Sequence, residues 1–140
     1  MRLHEAASIE NDAKFAITVS DAIMDMLAMV TQSHIWHLQT KSYAAHKALG
    51  DFYEALQEKL DGVAETFMGA GGQLRTLRNN ELVPFDKSNT INLLTEFRNK
   101  LNNLQAELME KENSAFHSVG DGILEIVQET DKLLYLLSLE

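Results

Sequence analysis

The sequence holds no cysteine, one proline and seven glycines in 140 residues. Without cysteine there are no disulfides, zinc knuckles, thiol nucleophiles or iron–sulfur clusters to consider. So little proline and glycine leaves few points at which a helix must break. No apolar run approaches the ~20 residues that span a bilayer, and the opening segment MRLHEAASIEND lacks the apolar stretch of a leader peptide. Both absences point to a protein that works away from membranes, in the cytoplasm. Basic residues are scarce too, with 12 Lys and Arg against 21 Asp and Glu, a net charge of −9. Phosphate contacts need clustered cations. Lys41 and Lys47 do not make a cluster and there is no Lys-rich tail, so DNA binding is disfavoured. An acidic surface suits solubility, or attraction of cations. No Ser-His-Asp arrangement, phosphate-cradling glycine loop or internal repeat stands out.

What is present is apolar periodicity. The chain is 45 % apolar and 24 % charged, the balance of one folded domain, taken here as residues 1–140. Steps of three and four residues mark four helical stretches. The first covers about 12–39 through Phe15, Val19, Ala22, Ile23, Met26, Leu27, Val30 and Leu38, with Asn11 or Asp12 as cap. The second covers about 43–68 through Leu49, Phe52, Leu56, Leu60, Val63 and Phe67, capped by Ser42 and ended by Gly69, Gly71 and Gly72. The third covers about 91–110 with Asn89 or Thr90 as cap, and the fourth about 115–137. Gly120 and Gly122 should weaken the first turns of the fourth by up to ~1 kcal/mol each, giving a frayed or late start.

The links between the first two and the last two stretches are only a few residues, which makes antiparallel neighbours. About twenty residues, from Gly69 to Asn89, join the second to the third. That is long for a structureless loop, and it is the length needed to run from one end of a bundle to the other. The expected fold is therefore all-α, a ferritin-like four-helix bundle with one long crossover between helices two and three.

Three of the five histidines, His34, His37 and His46, fall within thirteen residues. Asp61 and Glu65 follow at i and i+4, on one helix face. Imidazole with carboxylate suits Fe(II), Mn(II) or Zn(II). One straight helix keeps His46 and Asp61 about 22 Å apart at 1.5 Å per residue, while a metal needs its ligands within ~2–2.5 Å. Two copies of helix two, antiparallel about a two-fold axis, would bring His46 of one chain to the Asp61 and Glu65 of the other. If these residues act together, the spacing implies a C2 dimer, the commonest oligomer type.

The segment from His34 to Gly72 resembles the Dps-like branch of the ferritin superfamily. The resemblance rests on a His ending helix one and a second His twelve residues on. An Asp follows after fifteen more and a Glu after a further four; these are His34, His46, Asp61 and Glu65, in register. Asp61-Gly62-Val63-Ala64-Glu65 matches the family's D-x-x-A-E run, and Gly71-Gly72 its helix-ending Gly-Gly. The resemblance implies a homo-oligomer built on a two-fold dimer, commonly a hollow dodecamer. It also implies iron as substrate, Fe(II) oxidised to Fe(III) by dioxygen or peroxide at an intersubunit ferroxidase site. There His34 and His46 come from one subunit and Asp61 and Glu65 from its mate. Manganese or zinc would suit the same ligands.

The chain departs from the family's pattern at named positions. Gly50 stands where a further carboxylate is usual, and Asp51 beside it points ~100° away. Ile35 separates His34 from Trp36, and Thr66 replaces a frequent Arg. His37 is an additional imidazole, open either to metal ligation in place of the missing carboxylate or to packing and support. The chain is similar to short Dps-like proteins encoded by tailed phages, which would place it in host cytoplasm or a virion. Against the ferroxidase reading stands a non-catalytic helical assembly, a structural or host-interaction protein that keeps a degenerate site. Metal binding through imidazole should weaken below about pH 6, where the ring protonates.

Other groupings read as ordinary structure. His117, Asp121 and Glu125 are expected on a solvated face near a helix start. Met24, Met26 and Met29 are expected to fill core gaps, and Asp21 and Asp25 to be exposed. Trp36, Tyr43, Phe52 and Tyr53 are expected near the His cluster, in the core or at the dimer interface, where they would shield a redox site.

Overall fold

The computed structural model describes residues 12–75 and 81–140. Residues 1–11, which hold the cap candidate Asn11 and the segment expected to carry no leader, and residues 76–80, within the long connection, lie outside the described residues. Four helices, α1 (Ala13–Gln39), α2 (Tyr43–Gly69), α3 (Lys87–Glu110) and α4 (Ser114–Ser138), form an all-α bundle with no strand among the described residues. Helix α1 packs on α2, α2 on α4 and α4 on α3. On the remaining side, Lys100 of α3 reaches Asp25 of α1 with Nζ 2.8 Å from Oδ2.

Each helix starts where a short polar side chain can take up a free amide. Asp12 accepts from the Phe15 amide, Ser42 from Ala45, Asp86 from Asn89 and Asn113 from Ala115. The third start differs from the sequence expectation. Asp86, not Asn89 or Thr90, is the cap, and α3 begins at Lys87, four residues early. The apolar period begins only at Ile91, so the polar first turn Lys87-Ser88-Asn89-Thr90 carries no signal of its own. Thr90 is buried, and its hydroxyl accepts from the Asp86 amide, closing the first turn.

Helix α4 also starts sooner than expected, at Ser114, and is unbroken through Gly120 and Gly122. Both glycines are sites of close approach. A Cβ on Gly120 would stand 2.9 Å from the Met109 sulfur, and one on Gly122 would stand 2.7 Å from Val63. Packing against α3 and α2 thus offsets their poor helix propensity. Helix α2 ends in a Schellman turn. Gly71 has φ 100°, the Gly72 amide donates to the Phe67 carbonyl at 2.9 Å and the Gly71 amide to Met68 at 3.0 Å.

The core contains the stripes that the period marks, including Val19, Ile23, Met26, Leu49, Leu56, Phe67, Leu94, Leu101, Ile123 and Ile126, all fully buried or nearly so. Each such side chain contributes roughly 1.5–3 kcal/mol of transfer free energy. Two assignments fail. Leu27 and Leu38 lie on the outer face of α1, Leu38 68 % exposed. Trp36 is fully buried, with its indole N–H donating to the Val83 carbonyl at 3.0 Å. Asp25, expected to be exposed, is largely covered and ion-paired.

The described parts of the α2–α3 connection are tied to α1. The Arg75 amide donates to Ser20 Oγ. Gln32 makes two bonds to the Val83 backbone, both 2.8 Å, and the Phe85 amide donates to Gln39. The tie points move from the first half of α1 to its last residue as the connection proceeds.

Candidate functional site

The turn between α1 and α2 is three residues long, Thr40 to Ser42, so the end of one helix lies beside the start of the other. It carries His34 and His37 on the last turns of α1 and His46 on the first turn of α2. His34 is exposed; His37 and His46 are half-buried.

Two hydrogen bonds lock His37 and His46 together. His37 Nδ1–H donates to the His46 carbonyl at 2.6 Å, and His46 Nδ1–H donates to the His37 carbonyl at 2.7 Å. A carbonyl only accepts, so both Nδ1 atoms carry the proton, and in the neutral rings both Nε2 atoms keep a bare lone pair. The His37 carbonyl is among the last four of α1, which have no partner within the helix. His46 therefore also closes the C-terminus of α1. The two rings stack face to face, centroids 3.8 Å apart and planes 19° from parallel. Stacked rings turn their faces, not their lone pairs, toward each other.

The Gly50 position makes this arrangement possible. A Cβ there would stand 2.9 Å from Cε1 and 3.0 Å from Nδ1 of His37. The His37 ring thus fills the space beside the position where the family resemblance leads one to expect a carboxylate. Asp51 does not substitute for that carboxylate; it pairs with Lys47 on the surface at 3.7 Å. His34 stacks on Tyr53, centroids 4.2 Å apart and planes 13° from parallel, and Tyr53 meets His37 edge-on at 5.4 Å. Four rings from two helices form one cluster.

Asp61 and Glu65 are exposed, four and five turns further along α2. Among the described residues, no three His, Asp or Glu side chains of one chain gather into a group that could hold a metal. The imidazoles gather at the α1–α2 turn and the exposed carboxylate pair lies further along α2, so the two sets do not meet at one point. The donor chemistry, bare imidazole nitrogen with free-facing carboxylate, suits a borderline divalent cation. Within a single chain the set is split between two places.

The aromatic expectations resolve separately. Tyr53 belongs to the cluster and Tyr43 is 78 % exposed beside it, while Phe52 and Trp36 are core. His117 turns to the Lys111 carbonyl at the α3–α4 turn, and Asp121 and Glu125 are exposed. The reciprocal His37–His46 bonds were not legible as a motif. The signal was a mid-helix glycine one turn after His46, opposite a histidine near the end of the preceding helix.

Residues 37–137 match a family of unknown function, DUF5856. The chain belongs to that family. The DUF5856 match opens at His37 and takes in His46, Gly50, Asp61 and Glu65, with His34 just ahead of it. No curated protein and no solved structure matches the chain. Among the described residues, no helix is long and apolar enough to cross a membrane.

Proposed function

We propose that the protein is a Dps-like, ferritin-like iron-binding protein whose site is completed across a two-fold dimer. His34 and His46 of one chain would hold Fe(II) with the partner subunit's Asp61 and the partner subunit's Glu65. The observation that carries this reading is the exposed or half-buried placement of all four side chains on α1 and α2, with the Nε2 lone pair of His46 left bare by its Nδ1 bond. The about 22 Å between His46 and Asp61 along α2 is the separation that an antiparallel copy of the same helix would span. The long α2–α3 connection, tied to α1 near Ser20, Gln32 and Gln39, supports a ferritin-like crossover.

Fe(II) is the substrate. Imidazole and carboxylate favour its binding, and carboxylate favours the harder ferric product. Each iron gives one electron to dioxygen or peroxide. The net charge of −9 draws cations to the assembly. Manganese or zinc would occupy the same ligands without oxidation. The test is anaerobic Fe(II) binding to the wild type and to Asp61→Ala/Glu65→Ala. Both substituted residues are exposed, so the variant should fold normally. Loss of binding in the variant is expected; equal binding overturns the site.

A second reading has its own observation. Leu38, Tyr43, Tyr135 and Leu139 are all more than 60 % exposed. Glu140, two residues beyond α4, accepts from the Ser42 hydroxyl, which puts these four side chains at one end of the bundle. Exposed apolar groups gathered in one region favour a partner-binding helical assembly. Under that reading the histidines serve the α1–α2 turn alone, and neither protein binds iron.

A further inference from the structure

We propose that His37 and Gly50 act as one positioning device for His46, presetting its Nε2 as a metal-ligating atom before any ion or second chain arrives. The inference rests on the reading of His46 as a ligand, and assigns His37 support of that ligand. A ligating histidine commonly donates its other ring N–H to a carbonyl, which sets both tautomer and ring orientation. His46 does this to His37 at 2.7 Å. His37 returns the bond at 2.6 Å and lies flat against the His46 ring at 3.8 Å. The ring of His46 is then held in its plane and about its axis by groups of its own chain.

Gly50 is the steric half of the device. The carbonyl of His46 points along α2 toward the amide four residues on, Gly50, as in any α-helix. A second donor can reach that carbonyl only if the space beside residue 50 is open. Any Cβ there would stand 2.9–3.0 Å from the His37 ring. A helix-weakening glycine at this point is therefore matched by a histidine that needs its room. His34 and Tyr53 extend the support, since Tyr53 meets His37 edge-on.

The experiment combines nitrogen NMR of the imidazoles in the metal-free protein with a double-substitution cycle. His37 and His46 are expected as Nδ1–H tautomers, the opposite of the form that free histidine favours. Gly50→Ala should lower the melting temperature in the wild-type background. It should raise it in a His37→Ala background, where the room is free and Ala is the better helix former. Zinc titration, with zinc as a redox-silent probe, should show affinity 10–100-fold weaker in His37→Ala. His37→Asn, which keeps a donor at the same reach, should recover part of the loss.

An Nε2–H tautomer at His46 overturns the proposal, as does an effect of Gly50→Ala of the same sign and size in both backgrounds. Zinc affinity unchanged in His37→Ala overturns the positioning role while leaving the metal reading standing. A wild type that takes up no zinc, with tautomers and cycle as expected, overturns the metal reading and with it the purpose assigned to the pair.

Discussion

Two residues at opposite ends of α1 show what single side chains contribute. Trp36, the one tryptophan, is fully buried and bonded to Val83. Trp36→Ala should cost about 3–5 kcal/mol in denaturant unfolding, and wild-type fluorescence should shift to the red when the chain unfolds. Asp12 is held below the ordinary carboxylate range, first by the Phe15 amide it caps and next by its hydrogen bond from Lys111. A carboxylate depressed in the folded state stabilises above its unfolded value, and that contribution is lost as the pH falls through the folded one. Asp12→Asn keeps the cap oxygen and removes the charge. Its stability should therefore fall below that of the wild type at neutral pH, and the difference should close as the pH drops below about 4. Parallel stability curves across that range would contradict the assignment. That His34, His37 and His46 lie close together was readable from their spacing. That two of them bond each other's backbone was not, because the contact depends on the angle at which two helices leave a three-residue turn.

At the scale of the element, helix ends were more legible than faces. Asp12, Ser42 and the Gly71–Gly72 stop are local chemistry, and all three act as expected. The start of α3 was missed because its first turn is polar and only Asp86 marks it. The outward turn of Leu27 and Leu38 was missed because a stripe of apolar residues does not say how wide the covered arc will be. Gly71 sits at φ 100°, where an L side chain is strained. Gly71→Ala should destabilise by about 1–2 kcal/mol, whereas Gly62→Ala, with open space around its Cβ position, should stabilise α2 by up to ~1 kcal/mol. Thermal unfolding of the two variants side by side checks both signs.

For the whole molecule, the all-α bundle followed from four periods and three link lengths. The two-fold site is an expectation from spacing alone, because its proposed halves lie far apart on one helix and would meet only through a second copy. In the proposed reading the imidazole end and the carboxylate end of α2 would each supply half of a ligand set, and a two-fold axis would join them without bending the helix. Oligomer and metal are thus one hypothesis. The most direct measurement is aerobic addition of Fe(II), followed by size exclusion with simultaneous iron and mass detection, on the wild type and on Asp61→Ala/Glu65→Ala. The two-fold site predicts iron co-eluting with an oligomer in the wild type and iron lost from an oligomer of the double variant. An iron-free wild type that elutes with the same mass as the variant would contradict it, and would leave the bundle as an assembly module.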